Sequence, residues 1–376
     1  MRQFRYFNGI LALLCLLGLS PASQAHKASD SFIYLDQDQS QLRIDVALRD
    51  LALVLPLDTN ADQALTGAEV RAGRAAITRW TEAGITLANS SGKCRLAGEA
   101  WGISSHSDGP YAAARYQVKC ANGSTPDTIG YQLLFEQDPM HRGLLSVTNG
   151  DAETLSVLSP EQPSLELDRI DSSALALFVT FVYEGIFHLL IGLDHILFLL
   201  VLIVPATLGP LTSGEHDETR PQSLKQRVWQ LAGIVTAFTL AHSITLALAA
   251  LDVVRLPIAW VETVIALSIA LAALNVAWPV LGRKTWKLAF AFGLIHGFGF
   301  ASVLGDLTSG IQQTALALAG FNIGVELGQI ALLLLAFPML YVWGKTEHYG
   351  RFVVPAILVT TGALSLYWVA ERAMAI

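Results

Sequence analysis

Charged side chains are scarce in this sequence. They make up 15% of its 376 residues, against about 25% in an ordinary soluble protein. The shortage is uneven: the first half has ordinary polarity, and the apolar excess lies almost wholly after Ala174. That excludes one soluble globule and divides the chain into a soluble module and a membrane module. Basic residues are outnumbered, 24 Lys and Arg against 31 Asp and Glu, giving a net charge of −7. Nothing in that balance favours a nucleic-acid partner. No nucleotide-binding loop or ATPase domain is visible, so any transport would be secondary or facilitated.

Cysteine is equally sparse, with three in all. Cys15 lies in a stretch that reads as a signal peptide, residues 1–25. Arg2 and Arg5 start it, Ile10 to Leu19 form a short apolar core, and Ser23-Gln24-Ala25 is a small-residue cleavage site. There is no lipobox, so no lipidation is expected. Cleavage leaves Cys94 and Cys120. An even pair in an oxidising compartment favours a disulfide over a metal site and excludes cytosolic redox chemistry. His26 would become the first residue. Its amine and imidazole are a nitrogen pair of the kind copper prefers; a frayed terminus is the competing reading.

Residues 26–170 alternate apolar and polar positions. Segments 31–35, 42–48, 85–87, 115–118, 131–135 and 144–147 read as short strands, broken by Gly, Asn, Asp and Ser. This predicts a small β-sandwich or barrel with one helix, Ala68 to Trp80. The loop before that helix, residues 58–69, has the spacing of a calcium-binding EF-hand loop. Asp58, Asn60, Asp62, Thr66 and the Ala64 carbonyl would supply oxygens, with Glu69 as the last, bidentate ligand to a structural calcium. Gln63 stands where the sharp turn wants Gly. The alternative is an acidic turn in which Thr66 and Glu69 form a capping box. His106 and His141 read as surface loop histidines.

Residues 171–376 hold six hydrophobic segments near or above the ~20 residues needed to span a bilayer. They run approximately 174–204, 229–250, 257–281, 286–304, 314–343 and 352–370. The expected fold is therefore mixed: a small mainly-β periplasmic domain, then a polytopic α-helical membrane bundle of about six helices. Arg220, Lys225, Arg227, Arg283, Lys284, Lys287, Lys345 and Arg351 would face the cytoplasm, and the opposite loops hold only Arg255. The positive-inside rule then places the protein in the bacterial inner membrane with its N-terminal domain and C-terminus in the periplasm.

Ionisable residues within these segments are the best clue to function. Asp, Lys or Arg at bilayer depth costs about 2.5–3.5 kcal/mol on insertion scales. Glu184, His188, Asp194 and His195 lie in the first segment; His242, His296 and Glu326 follow in later ones. On continuous helices, His188, His242, His296 and Glu326 share a midplane layer, with Asp194 and His195 nearer the cytoplasm. Ser243, Glu262, Asn322 and Gln329 add supporting polarity. A lone membrane His or Glu often only bonds a neighbouring helix, but a whole layer accumulates unpaired cost. Imidazole and carboxylate together suit first-row divalent metals.

The run His188-Leu189-Leu190-Ile191-Gly192-Leu193-Asp194-His195 resembles the H-x-x-x-G-x-D-H signature of the HupE/UreJ family. So do Phe238 to Ser243, Phe292 to Gly297, and Phe321 to Gln329, and the resemblance covers most of residues 180–370. It looks like a long member with an exported N-terminal domain. The resemblance implies nickel or cobalt permeation, with His188, Asp194 and His195 as first contacts. Typical members carry H-G-x-A-H-G; here Phe300 replaces the second histidine, which leaves Ni, Co, Cu and Zn all as candidate ions.

Three readings follow. The first is a permease moving a divalent metal through the midplane layer, with the lipid bilayer and the ion as its only evident partners. The second is an intramembrane metal-dependent hydrolase, in which three histidines, an acid and Ser243 hold zinc and an activated water. The third is a membrane-anchored metal-binding or assembly protein.

Overall fold

A computed structural model describes residues 30–373, apart from 63, 107–108, 140, 151, 171–172, 209–222, 252, 255, 282–284 and 300–310. The expected signal peptide, His26, Gln63, Arg220, Arg255, Arg283, Lys284 and Phe300 lie outside the described residues.

The alternating N-terminal half forms two sheets. Strands β1 (Asp30–Asp36), β2 (Gln41–Ala47), β5 (Arg95–His106), β6 (Gly109–Lys119), β8 (Arg142–Asn149) and β9 (Ala152–Leu158) make one, in the order β5-β6-β2-β1-β8-β9. β1 pairs with β8 in parallel and the other neighbours are antiparallel. Strands β3 (Ile85–Asn89), β4 (Gly92–Lys93), β7 (Thr128–Tyr131) and β10 (Ser164–Glu166) make the second. Side chains of period two from both sheets, among them Ile33, Ile44, Leu87, Ile129 and Leu145, fill a shared core. The opposite face of the larger sheet carries Phe32, Tyr111, Leu144 and Leu155, with Leu177 of the first membrane helix packed against it.

Local differences have local causes. Strand β7 stops at Tyr131 rather than continuing to 135, because Gln132 N bonds the Gly84 carbonyl and Leu134 turns at φ 62°. A short helix, α1 (Leu48–Val54), takes over at Leu48, where a strand was expected to end. The single helix expected over 68–80 is two, α2 (Gly67–Ala72) and α3 (Arg74–Ala83), separated at Gly73, whose missing Cβ makes room for Leu57.

The membrane half contains α4 (Ala174–Ile191), α5 (Leu193–Thr207), α6 (Leu224–Ala250), α7 (Ile258–Ala277), α8 (Thr285–His296), α9 (Ile311–Trp343) and α10 (Val354–Ala373). Among the described residues, five helices are long and apolar enough to cross a membrane: α4, α6, α7, α9 and α10 with its leading turn. The protein is thus a multi-pass membrane protein. One expectation changes: the first segment is not one helix but α4 and α5, broken at Gly192. Of the expected fourth segment, 286–304, the described part is the helix Thr285–His296 and the turn that follows it. Large apolar side chains such as Leu175, Val179, Leu240, Leu334, Leu335 and Met339 point outward, where lipid tails would receive them.

Close helix contacts depend on missing Cβ atoms. Gly320, Gly324 and Gly328 recur every fourth residue on α9 and meet Phe178, Val182 and Leu189 of α4. Gly293 and Gly297 meet Phe238, His242 and Thr245 of α6 in the same way. Small residues at such spacing let backbones approach where lipid supplies no hydrophobic drive.

Candidate functional site

The break at Gly192 organises the site. Its φ of −63° and ψ of 94° leave the helical region. A Cβ there would stand 2.7 Å from His195 Nδ1 and 2.9 Å from the His188 carbonyl, so any other residue would push the His195 ring or the end of α4 aside. Seven residues of continuous helix would separate His188 and His195 by about 10.5 Å along the axis. The break instead folds His195 back, and the two ring centroids lie 5.0 Å apart. The His195 ring therefore lies beside that of His188 rather than two turns further along the chain's path. On its other side, His195 lies 5.6 Å from the ring of His296, the last residue of α8. Phe321 packs at 5.3 Å from His188; Phe198 and Phe238 each pack at 5.3 Å from His296.

The hydrogen bonds place the imidazole protons. His195 Nδ1 lies 2.9 Å from Asp194 Oδ1, and a carboxylate only accepts, so Nδ1 carries the hydrogen. His242 Nδ1 lies 3.3 Å from Asn322 Oδ1, while Asn322 Nδ2 donates to the Leu318 carbonyl. The amide orientation is thus settled, and His242 Nδ1 is the donor. Ser268 donates its only hydrogen to the Ile265 carbonyl and so accepts from His296 Nε2 at 3.0 Å. His296 Nδ1 is buried and has no hydrogen-bond partner among the described residues. In each ring one nitrogen is tied down, and where the ring is neutral the other presents a lone pair. This is how metal-binding histidines are oriented by their outer partners. As placed, and among the described residues, no three His, Cys, Asp or Glu side chains are gathered into a ready metal cluster.

The other expected polar residues divide. Glu326 and Gln329 lie on the seam between α9 and α6: Thr236 donates to Glu326 Oε1 at 2.8 Å, and Thr239 to Gln329 Oε1 at 2.7 Å. Glu326 Oε2 is buried without a partner among the described residues. Ser243 donates to the Thr239 carbonyl of its own helix. Glu262 lies in the second turn of α7, and its backbone carbonyl accepts from Arg372. Glu184 is drawn towards the β-rich half, 3.7 Å from Arg142, whose guanidinium also lies 4.6 Å from the ring centre of Phe187. Sequence reasoning does not pick out Ser268, Thr236 or Thr239. Hydroxyl residues in apolar helices ordinarily bond back to their own backbone, so nothing local marks these as reaching across.

In the β-rich half, Cys94 and Cys120 form the expected disulfide. Loop 58–69 closes on Glu69. Thr59 donates to Oε1 and Thr66 to Oε2, and the Glu69 amide bonds Thr66 Oγ1 to complete the capping box. The hydrogen bonds from Thr66 and Thr59 hold this carboxyl at about 2. Asp58, Asn60 and Asp62 accept from Ala61, Asp62 and Ala64 amides in turn.

His106 and His141 are not surface residues. His106 bonds Asp45 Oδ2 at 2.7 Å, and its ring stacks on Phe32. Asp45 is fully buried; burial pushes its carboxyl up, but hydrogen bonds from His106, Arg43 and Ser104 outweigh this and hold it below its usual range. His141 is fully buried, and its Nε2 shares a hydrogen bond with the Tyr131 hydroxyl. Burial, then Arg142 and Arg49, lower it to about 3, so it stays neutral.

A search of curated proteins finds no similar sequence. A family model described as HupE / UreJ protein matches residues 165–372, which takes in His188, His195, His242 and His296. The chain belongs to the HupE/UreJ family.

Proposed function

We propose that the protein is a secondary permease for a divalent transition metal ion in the bacterial inner membrane, with its β-rich half on the periplasmic side. The observation that carries this reading is the set of three buried imidazoles on separate helices, His195, His242 and His296. Each is anchored through one nitrogen by Asp194, Asn322 or Ser268, and each presents the other. Imidazoles bind a first-row divalent ion only through a deprotonated nitrogen, so uptake should depend on pH. His188 stands beside His195 at the broken helix and completes the set. Asp194 and Glu326 supply negative charge to offset the ion.

Broken helices beside polar groups are tolerated at membrane depth where they line a cavity or bind an ion. Membership of the family favours nickel or cobalt as cargo; copper and zinc stay in the set because Phe300 stands where typical members place a second histidine. A hydrolase would need Ser243 beside an imidazole, and its hydrogen goes to Thr239 instead.

The test is accumulation of Ni, Co, Cu and Zn in cells expressing the wild type or His188→Ala. Accumulation of at least one ion above the vector control, lost in the variant, is expected. Identical accumulation of all four in both strains refutes the reading.

A further inference from the structure

Two short patterns coincide in the membrane half. Gly185-Ile186-Phe187-His188 lies in the last turns of α4, and Gly293-Leu294-Ile295-His296 ends α8. The same G-x-x-H spacing therefore stands at the end of two helices, each followed by a break in the helical path. The surroundings correspond as well. A Cβ on Gly185 would fall on the Phe321 carbonyl of α9, and a Cβ on Gly293 on the Phe238 carbonyl of α6. Phe321 packs 5.3 Å from His188, and Phe238 packs 5.3 Å from His296.

Helix directions show how the two halves are related. Along α9, Gly320, Gly324 and Gly328 meet Phe178, Val182 and Leu189 in ascending order, so α4 and α9 are parallel. Along α8, Gly293 and Gly297 meet Phe238 and Thr245 in ascending order, so α8 and α6 are parallel. Between α6 and α9 the order reverses: Leu231 early in α6 clusters with Leu333, Phe337 and Leu340 late in α9, and Leu246 and Ala250 at the end of α6 cluster with Ala317 and Leu318 early in α9. These two helices are antiparallel, and hence α4 runs opposite to α8. The third elements agree, since Arg372 near the end of α10 reaches the Glu262 carbonyl near the start of α7.

We infer that the membrane half is an inverted repeat. One unit is α4 with its continuation α5, then α6 and α7; the other is α8, α9 and α10. The broken helix of each unit packs on the second helix of the other, so the bundle consists of two crossed pairs, α4 with α9 and α8 with α6. His188 and His296 are equivalent positions, and the His195 ring is within 5.0 Å of one and 5.6 Å of the other. Such repeats hold a substrate at their interface and expose it to one side and then the other by rocking one rigid part against the other. Within each pair the glycines bring backbone against backbone, whereas the seam between α6 and α9 is side-chain packing with three hydrogen bonds. This inference rests on the permease reading for its substrate, but the repeat itself is argued from packing alone.

The test uses spin labels on the purified full chain in lipid nanodiscs, with Cys15→Ser; Cys94 and Cys120 are already bonded to each other. Val179, Ile323, Leu240 and Trp286 are outward-facing positions on α4, α9, α6 and α8. Within-pair distances come from Val179→Cys with Ile323→Cys and from Leu240→Cys with Trp286→Cys. Across-pair distances come from Val179→Cys with Trp286→Cys and from Ile323→Cys with Leu240→Cys. Each is measured in EDTA and in the diamagnetic ions Zn(II) and Cd(II), with bound metal assayed on the same sample. The expected result is fixed within-pair distances and across-pair distances that shift beyond their own width. Within-pair distances that shift as much, or across-pair distances unchanged with metal bound, overturn the inference. If neither ion binds, the permease reading is what suffers. The repeat is then judged on the metal-free samples, where one narrow across-pair population overturns it and two support it.

Discussion

Gly185→Ala tests the helix packing on which the site depends. The added Cβ would lie inside van der Waals contact of the Phe321 carbonyl oxygen and 3.0 Å from the Val325 amide nitrogen. Both are backbone atoms of α9, so no side chain can swing away. The helices must separate by on the order of 1 Å, and overpacking of this kind costs about 1–3 kcal/mol. For a chain of this size that corresponds to an apparent Tm lower by roughly 2–12 °C at a fixed scan rate. Phe321 would also move relative to His188, so metal accumulation should fall with stability. Gly233→Ala and Gly362→Ala are the controls, because a Cβ at either meets nothing within 4 Å. In those helices alanine should be neutral or stabilising by about 0.5–1 kcal/mol. The assay is thermal unfolding in detergent, followed by intrinsic tryptophan fluorescence. A Gly185→Ala protein that melts with the wild type and its controls would refute the close α4–α9 contact.

Other expectations follow from single interactions. Ser268→Ala removes the acceptor that orients His296 while leaving the ring in place; metal affinity by calorimetry should fall about 10–100-fold, and unchanged affinity would count against the assigned tautomer. Replacing Cys94 and Cys120 by Ser frees a loop closed across 26 positions, for which chain entropy predicts a loss of ~3.5 kcal/mol; the denaturation midpoint of the β-rich half reads it. His141 is neutral in the folded protein and titrates normally when unfolded. Below about pH 6.5 the unfolded chain takes up a proton that the folded chain refuses, down to about 3. Stability should therefore fall by up to about 1.4 kcal/mol per pH unit across that window. His141→Gln should flatten this part of the profile, and an unchanged acid slope would show that another group is responsible.

What could be read in the sequence was whatever depends on near neighbours or on composition. Long apolar runs mark helices that must satisfy their own backbone in lipid. Alternation marks strands, and Thr66 with Glu69 marks a helix start. An even pair of cysteines in a half expected to be exported points to Cys94–Cys120. The histidines and acids stand out because they are costly where they lie. What could not be read depends on contacts across long separations. His106 and His141 sit beside loop residues in sequence, but sheet pairing buries them against Asp45 and Tyr131. Ser268 is one hydroxyl in an apolar helix until α8 brings His296 to it.

The same division holds at the site. The sequence alone determined that the chain has a β-rich half and a membrane half, that imidazoles and carboxylates lie at membrane depth, and which family motif carries them, because residue type and spacing carry that information. Only the tertiary structure decided that the first segment breaks at Gly192, that His195 therefore lies beside both His188 and His296, and which nitrogen each ring presents. Those outcomes follow from where two backbones can meet without a Cβ between them, and from which acceptor a distant helix supplies.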